Sequence, residues 1–191
     1  MLATHPSIRS CLGGTLLPAA PLQPRSGELA SLCLVNPAKG HTMEIDGSCH
    51  CGDIRYKAEV NPDNVIICHC TDCQTLSGGA FRTAVPAVEG TFVLLSGAPK
   101  RYVKTGESGN KREQAFCGNC GTHLYSAPPG LASRVVALRV GSIRQRDQLV
   151  PKDQYWCRSS QKWLQGLSSI KRTEKQPVFD PKGGFGSSAI D

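Results

Sequence analysis

The chain has 191 residues, 39% of them hydrophobic, with a formal charge of +7 and ten cysteines. That length supports one domain with a real core, and no stretch is long and apolar enough to cross a membrane. The basic excess counts every cysteine as neutral, so it is not by itself a case for a nucleic-acid partner.

Residues 1–42 hold Pro6, Pro18, Pro21, Pro24 and Pro37, which break regular elements. They run up to Met43-Glu44-Ile45-Asp46-Gly47-Ser48-Cys49 and read as a disordered extension, or as translated sequence upstream of the working start. Arg9, Arg25 and several serines against the single acid Glu28 make a transit peptide the alternative. The mildly apolar run from Cys11 to Ala20 is a poor signal peptide, since Pro18 interrupts it.

From Met43 the pattern is mostly β. Cys49 and Cys51 form a C-x-C pair, and on an extended strand such a pair points to one face. Asp53 to Val60 alternates strictly: Ile54, Tyr56, Ala58 and Val60 on one face, charged residues on the other. Val65-Ile66-Ile67-Cys68 is a short apolar strand that delivers Cys68, Cys70 and Cys73, spaced C-x-C-x-x-C. Thr71 to Ser77 can form one or two helical turns. Further strands are expected over Phe81 to Val88, Thr91 to Leu95, Arg101 to Lys104 and Arg112 to Phe116, with glycine and proline turns between them. Phe116-Cys117-Gly118-Asn119-Cys120-Gly121 is a zinc-knuckle pattern between that last strand and another over Thr122 to Ser126. Arg134 to Val140 is a β-branched strand. Arg144 to Lys175 carries eight basic residues against three acids. Residues 180–191, rich in glycine and serine, read as a disordered tail, leaving 43–179 as the folded domain.

The clustered cysteines are seven in number: Cys49, Cys51, Cys68, Cys70, Cys73, Cys117 and Cys120. Such tight spacing suits thiolate metal ligation better than the Cα separation of a relaxed disulfide. A thioredoxin-like C-x-x-C would need a strand–helix context, which the segment around Cys117 lacks. Four thiolates close a tetrahedral zinc site and three leave a position open. Seven ligands therefore divide as four plus three: one structural metal and one able to do chemistry. Zinc is the favoured ion and iron its rival. Two Zn2+ and seven thiolates lower the formal charge to about +4. The remaining cysteines, Cys11, Cys33 and Cys157, read as isolated thiols.

Three motifs in register resemble the CENP-V/GFA domain, the family of glutathione-dependent formaldehyde-activating enzymes. They are Gly47-Ser48-Cys49-His50-Cys51-Gly52, Cys68-His69-Cys70-Thr71-Asp72-Cys73-Gln74 and Phe116-Cys117-Gly118-Asn119-Cys120-Gly121-Thr122. The resemblance implies an Mss4-like fold of small coiled β-sheets pinned by zinc. It assigns Cys49, Cys51, Cys117 and Cys120 to the structural zinc and Cys68, Cys70 and Cys73 to a catalytic zinc, giving two Zn2+ per chain. It implies a carbon–sulfur lyase that joins glutathione, as co-substrate, to formaldehyde or a similar small aldehyde. A cytoplasmic protein with small-molecule partners is expected, with no membrane and no nucleic acid. The alternative is a catalytically silent, zinc-stabilised interaction module of the centromere protein V type.

Around the second cluster, Arg82, Arg101, Lys104 and Arg112 are candidates to balance thiolate charge or to meet substrate carboxylates, each with a solvated strand position as the plainer reading. His50 and His69, alternating with ligand cysteines, are expected to point away from the metal, at the surface or in an outer shell. Asp72 and Thr71 lie beside the open site by construction, and Trp156 and Trp163 are expected to pack the core or cover a pocket.

Overall fold

The computed structural model describes residues 41–130 and 135–176, with the backbone alone of 179–180 and 184–185. The expected extension over 1–42 lies outside these residues except for His41 and Thr42. So do Cys11, Cys33 and most of the 180–191 tail. Among the described residues the fold is mostly β, and no helix is long and apolar enough to cross a membrane.

Three strands, β1 (Met43–Ser48), β2 (Arg55–Val60) and β5 (Val93–Ser96), form an antiparallel sheet in the order β1-β2-β5. A seven-stranded sheet takes β3 (Ile66–Cys68), β4 (Arg82–Pro86), β6 (Lys100–Thr105), β7 (Lys111–Phe116), β8 (His123–Ala127), β9 (Ala137–Arg139) and β10 (Asp153–Tyr155). Its order is β10-β3-β4-β9-β8-β7-β6, antiparallel except for the β10–β3 edge. The one α-helix among the described residues, α1, spans Thr71–Ser77. Two further short strands, β11 (Phe179–Asp180) and β12 (Gly184–Phe185), pair with each other.

Most expected strands are present. Three differences have physical causes. Cys49 and Cys51 do not lie on a strand: β1 ends at Ser48, and Gly52 N–H closes a turn on Cys49 C=O at 3.0 Å, with Gly52 at φ 79°. Glycine adopts that φ without steric cost. Of the strand expected over Arg134 to Val140, Arg134 lies outside the described residues and β9 spans Ala137–Arg139, ending where the chain curls into a 3-10 turn at Val140–Ser142. β10 and the 3-10 segment Lys162–Ser169 have no periodic signature in the sequence. The first exists only because β3 offers it an edge.

Period-two alternation gives the seven-stranded sheet two unlike faces. One carries Val85, Ala115, Tyr125, Ala127 and Leu138 into the core, where Ile45, Tyr56, Ala58 and Val60 of the smaller sheet meet them. Phe92 joins the two sets, 5.7 Å from the Tyr56 ring and 5.0 Å from that of Tyr125. Burial of an Ile or Tyr side chain here stabilises by about 1.5–3 kcal/mol as an upper figure. The opposite face is polar. Following the register pairs Cys68↔Arg82, Ala84↔Arg139, Ser126↔Ala137, Gln114↔Ser126 and Lys104↔Arg112, it reads Cys68, Arg82, Arg139, Ser126, Gln114, Arg112 and Lys104. The core therefore builds a platform whose outer side carries a cysteine, three arginines and a lysine.

Gly47 leaves room for the Tyr56 ring of the neighbouring strand and for the Val140–Ser142 turn. A Cβ there would fall 2.2 Å from Tyr56 Cζ and 2.7 Å from the Ser142 carbonyl. Tyr56 is 1% exposed and its hydroxyl shares a 2.7 Å hydrogen bond with Ser142 Oγ, so neither can give way. Gly47→Ala is expected to destabilise by roughly 1–3 kcal/mol through overpacking. Thermal unfolding should show a midpoint lower by several degrees, and an unchanged midpoint would refute the packing argument.

Candidate metal centres

The first centre joins the turn after β1 to the turn between β7 and β8. The Sγ atoms of Cys49, Cys51, Cys117 and Cys120 all lie within 4.8 Å of one another. Cys49–Cys51 and Cys51–Cys117 are 3.5 and 3.7 Å apart, too far for a disulfide. They match the edge of a sulfur tetrahedron around a zinc-sized ion, about 3.8 Å. Backbone N–H groups aim at the sulfurs, Ile54 N–H at Cys49 (3.3 Å) and Asn119 N–H at Cys117 (3.4 Å). The β7–β8 turn is closed by Cys117 N–H to Thr122 C=O at 2.9 Å and Gly121 N–H to Cys117 C=O at 3.0 Å. His50 N–H donates to Thr122 Oγ1 at 3.0 Å, tying one turn to the other. Cys49 and Cys117 sit in the core, while Cys51 and Cys120 face solvent. The side-chain hydrogen bond with Thr122 holds Cys120 down at about 5, which favours the ligating thiolate.

The second centre is built by β3 and α1. Cys68 ends the strand, Cys70 is the N-cap of the helix and Cys73 lies in its first turn, with all three sulfurs within 4.8 Å. Cys73 N–H donates to Cys70 Sγ at 3.4 Å, so the thiol caps the helix as a Ser oxygen would. Gly78, at φ 64°, ends it in the left-handed conformation. The hydrogen bond from Cys73 drops Cys68 to about 5, and the same contact pushes Cys73 up. Thiols this close hold one proton between them, and a cation takes its place on ligation.

The cluster rests on the polar face of the sheet. Arg82 and Arg139, 5% and 9% exposed, both donate to Gln114 Oε1, at 3.1 and 2.8 Å. Burial lowers both guanidinium groups, Arg139 to about 9 with added repulsion from Arg82, and the sulfurs of Cys73 and Cys68 pull in the opposite direction. Both remain cationic at neutral pH. Arg82 is therefore not a solvated strand residue: its side chain crosses from Cys68's neighbour position into the sheet's polar layer. Arg139, hidden within the β-branched run, was not among the sequence candidates; its one sequence signal is a charge at an alternating position of a buried strand.

Of the two positions expected for His69, surface or outer shell, the surface one does not apply: it is 2% exposed. Its Nε2–H donates to Gln154 Oε1 at 2.8 Å, and its ring lies edge-on to Phe81 at 5.8 Å. Its backbone N–H donates to Tyr155 C=O at 2.9 Å, and Gln74 Nε2 donates to both His69 C=O (2.7 Å) and Ser159 C=O (2.9 Å). His69 thus anchors the cysteine loop to β10, which is why that strand matters to the site. His50, by contrast, is exposed.

Beside Cys70 opens a cavity of about 880 Å3, walled by Asp72, Lys104, Lys111, Arg112 and Trp156 among others. Lys104 pairs with Asp72. Among the described residues neither Lys111 nor Arg112 has an acidic partner. Trp156 is held at φ 60°, a conformation that costs a non-glycine residue of order 1 kcal/mol or more and clusters at functional sites. The Arg158 guanidinium lies 4.8 Å over its ring and pairs with Glu107. Arg101 faces the other way, paired with Glu113 at 3.3 Å. Trp163 stays exposed and touches neither centre. Cys157 is exposed and stands apart from both clusters.

The sequence profile of the family described as glutathione-dependent formaldehyde-activating enzyme matches residues 44–159, which include all seven clustered cysteines. An uncharacterized lyase of Schizosaccharomyces pombe is 31% identical over 84 residues, 44% of this chain and 58% of that protein. A Halomonas elongata protein with the provisional name of glutathione-dependent formaldehyde-activating enzyme is 25% identical over 91 residues, 46% of this chain and 58% of that one. The chain thus spans just over half the length of these relatives. A Rhodobacter sphaeroides protein of known crystal structure superposes with a TM-score of 0.44 at 18% identity, over 57% of this chain and 98% of the other. With the family profile covering more than half of its length, this chain belongs to the glutathione-dependent formaldehyde-activating enzyme family.

Proposed function

We propose that this chain is a zinc-dependent carbon–sulfur lyase that forms and breaks the S-(hydroxymethyl) adduct of glutathione and formaldehyde, or of a similar thiol–aldehyde pair. The observation that carries this reading is the three-sulfur centre, one ligand short of a closed shell, opening beside a cationic cavity. Zn2+ held by Cys68, Cys70 and Cys73 would supply an open position that favours a thiolate or polarises an aldehyde oxygen. A second Zn2+ held by Cys49, Cys51, Cys117 and Cys120 would be structural.

The reaction is an addition. The thiol sulfur bonds to the carbonyl carbon, the C=O π pair moves to oxygen, and the thiol proton ends on that oxygen. Lys111 and Arg112 meet the substrate's carboxylates, since they are the cavity cations without an acid of their own. The Lys104 ammonium, paired with Asp72 on the same wall, relays that proton: it gives one to the new hydroxyl and takes up the one the thiol releases. Trp156 covers the mouth. Reduced glutathione and seven unoxidised thiols go with a cytoplasmic location. The interaction-module reading gains little support: Arg144, Lys152 and Arg158 of the basic stretch are engaged by Asp46, Asp63 and Glu107.

Elemental analysis of protein purified without chelator should give two zinc per chain. Cys70→Ser keeps an N-cap hydroxyl, so α1 should still form. The variant should hold one zinc and lose adduct formation by about a thousandfold, and full activity would sink the mechanism. Arg112→Gln should raise KM for glutathione roughly tenfold, the worth of one charge-assisted hydrogen bond, while kcat stays within about threefold. An unchanged KM would remove Arg112 from the carboxylate site.

A further inference from the structure

Two buried guanidinium groups lie against the second centre with one neutral acceptor between them. Arg82 and Arg139 share Gln114 Oε1. Arg82 Nη2 and Arg139 Nε are buried with no hydrogen-bond partner. Among the described residues no carboxylate pairs with either: Glu113 is taken by Arg101 and Asp72 by Lys104. Two like charges removed from water, each incompletely bonded, are costly unless something anionic compensates them. The register puts Arg82 directly opposite Cys68 and Arg139 one strand further on the same face. Of the anionic groups on this face, Asp153 stands exposed on the edge strand β10, two strands from Arg82, while the Cys68 sulfur is directly opposite Arg82.

The charge count makes the arrangement specific. A divalent ion with three thiolates carries −1, and a fourth thiolate makes −2, which a buried site holds poorly. Two arginines offset that −2. Before the fourth ligand arrives, the same group of charges stands at +1.

We propose that Arg82 and Arg139, spaced by Gln114, are positioning residues that make the open position of the three-cysteine centre selective for an anionic fourth ligand, a thiolate sulfur over a neutral donor. This rests on the reading of that centre as a metal site given above. The arginines act through the cluster's charge and need not touch the substrate. Gln114 has a defined part: its amide oxygen holds the two groups together yet brings no charge, so their surplus stays available to the ligand. A glutamate in its place would satisfy the arginines and remove the preference.

The test uses the full chain loaded with Co2+, titrated with 2-mercaptoethanol and, separately, with imidazole. The first probe binds as an anion through a body without other charge, and the second is neutral. The four-cysteine centre has no open position for either. The readout is the sulfur-to-cobalt charge-transfer band for the thiol and the ligand-field bands for imidazole, each giving a Kd. Arg139→Met and Gln114→Glu are each expected to weaken thiol binding by roughly tenfold or more, from the loss or neutralisation of one nearby charge. Imidazole binding should change less than about threefold, and Arg139→Lys should retain most of the thiol affinity.

Equal shifts for both ligands, or no shift for either, would overturn the proposal and leave the arginines as packing. Should Arg139→Met fail to fold, Gln114→Glu decides alone, since it keeps both arginines and the side-chain volume. Unmodified protein that binds the thiol but makes no adduct would refute the lyase reading and leave this inference standing. Unmodified protein that binds no thiol would refute both.

Discussion

Convergence of four sulfurs at the junction of two sheets is the constraint on which the rest of this molecule hangs. Cys49 and Cys51 sit at the end of β1, Cys117 and Cys120 at the turn between β7 and β8, and 66 residues separate Cys51 from Cys117. Closing a loop of that length costs entropy that no local contact repays. Cys49 and Cys117 are themselves core residues, so the candidate metal centre and the packed core meet at the same place. Where Gly47 leaves room, Tyr56 reaches Ser142, and the shared core of Ile45, Ile54, Leu124, Leu138 and Ile143 includes residues around that contact.

A core built on one face of a sheet leaves the other face to be used. In the seven-stranded sheet, the face opposite Val85, Leu138, Tyr125 and Ala115 carries Arg82, Arg139, Ser126 and Gln114, and all four are buried. Buried polar side chains of this kind are stable only when they satisfy one another. Here they do so incompletely, with His69 Nδ1, Arg82 Nη2, His123 Nδ1 and Arg139 Nε left over. Real proteins break such rules at functional sites and compensate elsewhere. Two of the four, Arg82 Nη2 and Arg139 Nε, lie on the sheet face that carries Cys68.

The two centres thus differ in more than ligand count. The four-cysteine centre is made of two turns, with backbone N–H groups aimed at sulfur. The three-cysteine centre stands at a strand end and a helix start, with an arginine pair below and a cavity of about 880 Å3 to one side. Its loop is held by His69, Gln74, Gln154 and Ser159, contributed by segments up to 85 residues away. Rigid support of that kind is what the reaction proposed for this centre requires, since small misplacements of reacting groups are costly.

Much of this was legible in the chain. The spacings of the seven cysteines announced two metal-type clusters, because ligands that share an ion must be close and local backbone geometry can bring them close. The alternation from Ile54 to Val60 announced a half-buried strand, and Thr71–Ser77 its short helix, since both depend on periodicities of a few residues. What the chain did not disclose is everything set by strand order. That Arg139 lies one strand from Arg82, that Gln114 stands between them, and that Gln154 meets His69 are consequences of the order β10-β3-β4-β9-β8-β7-β6. No local pattern encodes that order; it emerges when apolar faces from distant segments bury one another, and their polar faces are brought together in consequence.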